Sequence, residues 1–145
     1  DPLKYKFSKP HIPGFDYRYC GIKPTLVYFV RDRIAEDPVC VENHKADICA
    51  SSQKALIDIL MDKLIKAAKH TGIRQITIGG GVSANSGLRA RIEEEGRKRG
   101  WTTFLPEFKF TTDNAAMIAI AGWFHYQNGE RASLDVAPVS RLAEF

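Results

Sequence analysis

The sequence predicts an α/β fold, helix-rich, with a small sheet that contains a βαβ unit. Three observations carry that expectation. Residues 73–79 form a short alternating stretch that breaks on Gly79-Gly80-Gly81 and opens a helix. That helix, expected from about Ala84 to Arg99 and stopped by Gly100, is followed by a second short strand, Trp101 to Leu105, closed by Pro106. Strands joined by a helical crossover run parallel with a right-handed connection. Both strands therefore end at one sheet edge, the place where open α/β sheets bind ligands.

Taken in order, residues 1–21 place Pro2, Pro10, Pro13 and Gly14 among Tyr5, Phe7, Phe15, Tyr17 and Tyr19, which predicts an ordered irregular segment packed on a surface, with Phe15 to Cys20 as a short strand. Pro24 suits the start of a helix, because its missing N–H would be unpaired there. The helix runs from about Pro24 to Ala35, and its apolar run Leu26-Val27-Tyr28-Phe29-Val30, then Ile34, predicts burial on more than one side. After Pro38 a long helix is expected from about Asn43 to His70, ended by Thr71-Gly72. Ile48, Ala55, Leu56, Ile59, Leu60, Met61, Leu64, Ala67 and Ala68 recur at helical spacing, while Lys54, Asp58, Asp62, Lys63, Lys66 and Lys69 take the other face. That face reads as solvated rather than as an RNA-binding patch. A last helix, about Asn114 to Tyr126, is expected with Thr111 or Thr112 as its cap and Asn128-Gly129 as its stop. The tail, residues 133–145 with Pro138, reads as a docked extended segment.

Composition bounds the function classes. A chain of 145 residues with 44% hydrophobic content makes one domain with a core that needs no disulfides. Cys20, Cys40 and Cys49 are an odd number without C-x-x-C spacing, which predicts buried free thiols rather than a disulfide frame or a zinc knuckle. A net charge of +4 tolerates a nucleic-acid partner without arguing for one. No run approaches the about 18 to 20 apolar residues of a membrane span, and Asp1-Pro2-Leu3-Lys4 has no signal pattern, so a cytoplasmic location is expected. The initial Asp1, in place of Met, fits a processed or truncated product.

Two helix starts at the shared sheet edge carry the candidate site. Gly79-Gly80-Gly81-Val82-Ser83-Ala84-Asn85 lets backbone approach a flat base, sugar or phosphate, and the Asn85 amide both donates and accepts. Thr111-Thr112-Asp113-Asn114-Ala115-Ala116-Met117 supplies a carboxylate, Asp113, 28 residues after Asn85 and suited to a metal or cation. Each feature alone also has an ordinary structural reading, as a tight turn and as a helix cap.

Together, Gly79 to Asn85 with Leu88-Arg89, and Thr112-Asp113-Asn114-Ala115-Ala116-Met117-Ile118-Ala119, resemble the C-terminal motifs of the TsaD family, the tRNA threonylcarbamoyladenosine enzymes known earlier as Gcp O-sialoglycoprotein endopeptidases. Phe7-Ser8-Lys9-Pro10, Ile12-Pro13-Gly14, Lys45-Ala46-Asp47-Ile48 and Asp135-Val136-Ala137-Pro138 are similar as well, and the chain covers less than half of a complete family member. The resemblance implies one lobe, the C-terminal one, of a two-lobed actin and Hsp70-type (ribonuclease H-like) fold. It implies transfer of threonylcarbamoyl from its adenylate to the adenosine beside the anticodon of tRNA. By the same resemblance Asn85 binds the adenylate, or ATP, with Gly80 and Gly81 lining its pocket. Asp113 is then one ligand of a divalent iron or zinc, whose two histidines sit in a His-x-x-x-His helix of the other lobe. Its implied partners are a paralogous actin-like subunit and a small ATPase, with homo-oligomerisation open.

The four histidines here, His11, His44, His70 and His125, have no metal-ligand spacing and read as surface or packing residues. The chain also departs from the family at Tyr17-Arg18-Tyr19-Cys20-Gly21-Ile22-Lys23-Pro24-Thr25, where a Ser-Phe-Ser-Gly-Leu-Lys-Thr run is usual. Two further readings remain: a non-catalytic actin-like interaction or dimerisation module, favoured by that altered turn, and a metallo-glycoprotease, which lacks H-E-x-x-H and a paired nucleophile.

Overall fold

A computed structural model describes residues 1–10 and 12–138. Its order is α1 (Ile22–Glu36), α2 (Cys40–Thr71), β1 (Gln75–Thr77), a 3₁₀ turn (Gly81–Ala84), α3 (Ser86–Arg99), β2 (Thr102–Phe104), a second 3₁₀ turn (Phe108–Phe110) and α4 (Ala115–Gln127). The expected helix-rich α/β arrangement is present. β1 and β2 pair in parallel, with Gln75 opposite Thr102, Ile76 opposite Thr103 and Thr77 opposite Phe104.

The 32-residue α2 is the spine. It ends where the sequence indicates, at Gly72, whose φ of 75° is left-handed and whose N–H donates to the Ala68 carbonyl. Met61 and Ala68 of α2, Ile76 of β1, and Leu88 and Ile92 of α3 form the buried core, with Ile57, Leu60, Leu64, Ile65, Ile78, Trp101 and Leu105 packed around it. Ile92 is 1% exposed. Truncating such a residue to alanine costs about 2–5 kcal/mol through lost burial and the cavity left behind.

Two glycines allow close packing that periodicity alone does not announce. A Cβ at Gly87 would meet the Gln53 amide at 2.6 Å and the Ile57 Cδ1 at 3.0 Å, so Gly87 sets the approach of α3 to α2. A Cβ at Gly96 would lie 2.9 Å from Thr103 Cγ2, which seats α3 on the sheet. Beside Gly96, the buried Glu95 carboxylate is held by Arg91 at 3.1 Å and Arg99 at 2.8 Å, so its charge is compensated within one helix.

Several expectations are corrected. Residues 15–20 form no strand; they run irregularly into α1, since no strand among the described residues offers them a ladder. α1 is buried only at Ile22, with Val27, Tyr28 and Ile34 exposed, because α2 covers one side of it. The polar face of α2 is not simply solvated. Lys63 Nζ donates to the Ile12 and Gly14 carbonyls, both at 2.8 Å, and Lys9 pairs with Asp58 and Asp62. The N-terminal segment lies along that face, and Tyr5 and Phe7 meet the Phe29 ring edge to face at 5.0 and 5.3 Å. The cysteines are free, but Cys20 and Cys49 are exposed and Cys40 is half-buried. The tail is exposed rather than docked over 133–138, with Leu134 and Val136 in solvent; residues 139–145, like His11, lie outside the described residues.

α4 stands apart. It is apolar on all sides, yet none of its residues is buried; Ile118 is 77% and Phe124 62% exposed. Among the described residues, no helix is long and apolar enough to cross a membrane.

Candidate functional site

The parallel β1–β2 pair delivers both candidate segments to one edge of the sheet. Thr77 and Phe104 stand level, and the Ile78 N–H donates to the Phe104 carbonyl at 3.3 Å, continuing the ladder toward the glycine run. At Gly80 the backbone turns with φ 77° and ψ 175°, a conformation that glycine adopts without strain. A Cβ at Gly79, Gly80 or Gly81 would meet nothing within 4 Å, so the loop faces open space rather than packed protein. Gly81–Ala84 then makes one 3₁₀ turn and passes to Asn85.

Asn85 is the N-cap of α3. Its backbone is extended (φ −65°, ψ 113°), and Oδ1 accepts from the Leu88 N–H at 3.0 Å. The amide oxygen is thereby engaged, and the Nδ2 hydrogens are the part of the side chain left to meet a ligand. Asn85 also forms part of the wall of an apolar groove of about 1000 Å³ between α1, α2 and the start of α3, with Val82 and Leu88 beside it and Tyr19, Ile22 and Lys23 opposite. Burial pushes the Tyr17 and Tyr19 phenols up from their ordinary value.

The divergent turn at Tyr17 to Thr25 therefore borders this groove. Gly21 is the N-cap of α1 and makes no side-chain cap; Thr25 Oγ1 donates to the Gly21 carbonyl at 2.7 Å instead. Pro24 sits third in the helix, where its lack of an N–H costs nothing.

Asp113 is exposed and is not a wall of the groove. Its carboxylate has no hydrogen-bond or ion-pair partner among the described residues. It does not cap the helix, and neither does Thr111 or Thr112. Asn114 caps α4, its Oδ1 accepting from the Met117 N–H at 3.1 Å, while the buried Thr111 turns its hydroxyl inward to the Phe108 carbonyl at 2.7 Å. Asparagine outdoes threonine as a cap here because Thr111 is used to close the preceding 3₁₀ turn. A free, exposed carboxylate beside a helix start fits the role of a single oxygen ligand to a divalent ion. Among the described residues, no group of three His, Cys, Asp or Glu side chains stands together. His44 lies near Lys4 and Asp47, His70 against the Phe15 ring, and His125 on Glu130.

Gly80, Gly81 and Asn85 thus lie on one loop, while Asp113 follows a separate stretch; Arg89 contacts the first loop at the Ser83 carbonyl and the stretch before Asp113 at the Pro106 carbonyl. Arg89 closes the first motif in the sequence, but nothing there says that it spans two loops.

The sequence profile of the TsaD family, described as tRNA N6-adenosine threonylcarbamoyltransferase, matches residues 1–120. Curated relatives under that same name include proteins of Porphyromonas gingivalis, 48% identical over 142 residues, and Christiangramia forsetii, 48% identical over 141. A more distant one, from Clostridium botulinum, is 35% identical over 142 residues. These alignments take in 97–98% of this chain but 41–42% of each relative, so the chain spans less than half the length of the curated relatives it matches. With residues 1–120 inside the family profile, both motifs included, the chain belongs to the TsaD family of tRNA N6-adenosine threonylcarbamoyltransferases.

Proposed function

We propose that this chain is the C-terminal, actin-like lobe of a tRNA N6-adenosine threonylcarbamoyltransferase and supplies half of its active site. The observation that carries the reading is the parallel β1–β2 pair, which sends the Gly80–Asn85 loop and the segment leading to Asp113 to the same edge of the sheet. In this reading Gly80 and Gly81 lie against the adenylate of threonylcarbamoyl-AMP, since no Cβ stands between backbone and ligand. The Asn85 Nδ2 donates to the adenylate while Oδ1 holds the helix. The reaction joins the carbamoyl carbon to the exocyclic amine of adenosine in tRNA and releases AMP, with the amine losing one proton.

Asp113 supplies one oxygen ligand to a divalent iron or zinc whose remaining protein ligands, two histidines, belong to another lobe. Such an ion, when bound, polarises the carbamoyl carbonyl and stabilises the charge that builds on its oxygen. Asp113 is exposed and has no partner among the described residues, so its carboxylate is open to a ligand supplied from elsewhere. The protein works in the cytoplasm with a paralogous actin-like subunit and a small ATPase, and the 145 residues alone carry no transferase activity.

The test is threonylcarbamoyl transfer to tRNA by the protein at its relatives' length, compared with its Asp113→Asn variant. A loss of about 100-fold or more is expected, the scale on which removal of one electrostatic stabiliser acts. Undiminished transfer would remove Asp113 from the reaction. The interaction-module reading would be favoured only by a stable homodimer that binds no adenylate in calorimetry. A glycoprotein substrate is expected to remain uncleaved.

A further inference from the structure

We infer that Arg89 is a positioning residue that staples the two candidate loops into one register, fixing the spacing between Asn85 and Asp113. The guanidinium of Arg89 reaches both sides. Its Nε–H donates to the Ser83 carbonyl at 2.6 Å, inside the turn that ends at Asn85. Its Nη2 donates to the Pro106 carbonyl at 2.5 Å, at the start of the segment that leads to Asp113. The same group lies over the Phe108 ring, 4.3 Å from its centroid.

The contacts continue without a gap in both directions. The Phe108 carbonyl accepts from the Thr111 N–H at 3.1 Å and from its hydroxyl at 2.7 Å, and Thr111, 4% exposed, lies two residues before Asp113. On the other side the Arg89 N–H donates to the Asn85 carbonyl at 3.1 Å, while Ser83 is 1% exposed. One side chain therefore reaches the buried Ser83 directly and the buried Thr111 by way of Phe108, each two residues from a candidate ligand-binding side chain.

Its placement is otherwise unfavourable. Arg89 sits in the first turn of α3, where the helix dipole disfavours a cation. Lysine would keep the charge, but its single nitrogen could not meet the Ser83 and Pro106 carbonyls through two separate atoms, as Nε and Nη2 do here. The planar fork is what the position uses.

The staple stands on geometry; its bearing on transfer rests on the functional reading above. Both are tested in the protein at its relatives' length, with Arg89→Lys and Arg89→Ala, by amide hydrogen exchange and by steady-state transfer to tRNA. Exchange should rise about tenfold or more in residues 80–85 and 106–113 together, with the interior of α3 unchanged. The kcat should fall about 10- to 100-fold, as for a small misplacement of reacting groups. A residue that merely supports α3 would loosen the helix and leave 106–113 at the wild-type rate, and that result overturns the staple. Exchange rising in both loops with kcat unchanged would keep the staple and overturn its role in transfer. If the wild-type protein transfers no threonylcarbamoyl, the functional reading fails and the exchange measurement still decides the staple. Should Arg89→Ala fail to fold, Arg89→Lys is read in its place by the same criteria.

Discussion

Asn85 Oδ1 accepts the Leu88 N–H at 3.0 Å, so the side chain proposed to meet the adenylate is also the cap of α3. The two roles separate by substitution. Asn85→Asp keeps an equally good cap, so stability should stay within about 0.5 kcal/mol. It removes the Nδ2 donor and sets a negative charge against a phosphate, so adenylate affinity should fall at least about tenfold, near 1.4 kcal/mol. Asn85→Ala should lose affinity and about 1 kcal/mol of stability together. Thermal melts and calorimetry on the same variants check this. An Asn85→Asp protein that binds adenylate like the wild type would reduce Asn85 to a cap.

Acid should release the N-terminal segment from α2. In the 145-residue chain the Asp47 carboxylate is held down to about 2, first by a hydrogen bond from Lys4 and then by one from the amino group that ends this chain, against a usual 3.8. Asp58 is also lowered; burial opposes this, but the Lys54 hydrogen bond and the Lys9 charge outweigh it. A carboxylate with a depressed folded value contributes stability above its unfolded pKa and loses it as pH falls through the folded one. The docking contribution should therefore be complete above about pH 4 to 5 and be lost toward pH 2. The Tyr5 N–H, which donates to Ser51 Oγ, is the reporter. Amide protection at Tyr5 that does not fall relative to the core over this window would contradict the account.

Gly96→Ala should destabilise the protein although alanine is the better helix former. Overpacking against Thr103 costs about 1–3 kcal/mol, and the helix propensity gained returns about 1 kcal/mol, leaving a net loss of about 1 kcal/mol. The contact is with the methyl of Thr103, a short β-branched side chain with few alternative rotamers. Gly87→Ala should cost less, because its nearest contacts are the ends of the longer Gln53 and Ile57 side chains. Chemical denaturation of both variants checks the order; Gly87→Ala as the worse of the two would contradict it.

Local signals in the sequence were reliable where the cause is local. Gly72 and Gly100 end α2 and α3 in left-handed backbone, as helix-closing glycines do, and the strand–glycine–helix–strand order gives the parallel pair. What was illegible depends on residues far apart in the chain. Lys63 reads as a solvated helix lysine because its partners, the Ile12 and Gly14 carbonyls, lie about fifty residues upstream in an irregular segment. The cap of α4 lies two to three residues beyond the expected Thr111 or Thr112 because Thr111 and Asn114 are both good caps, and the choice between them is made by the fold at Phe108. Arg89 carries no sign in the sequence that its two ends serve different loops. The residues of the candidate site, Gly80, Gly81, Asn85 and Asp113, are legible as two motifs that the strand–helix–strand order sends to one sheet edge, and the structure adds which of them cap helices.

The apolar surface of α4 should make the 145-residue chain self-associate. Ile118, Ile120, Trp123, Phe124 and Tyr126 are each more than half exposed on one helix, which is unusual on a monomer surface. Sedimentation should show mass rising with concentration, and Ile118→Lys with Phe124→Lys should return the chain to a monomer. A monomer for the unsubstituted chain at about 100 μM, well above the micromolar range where exposed apolar surface promotes association, would contradict this.

The most direct measurement is a single comparison of threonylcarbamoyl transfer to tRNA, with threonylcarbamoyl-AMP supplied. It sets the protein at its relatives' length beside the 145-residue chain alone. The account predicts N6-modified adenosine from the longer protein and none from the chain. Transfer by the chain alone would contradict the claim that Asn85 and Asp113 form only half of a catalytic site.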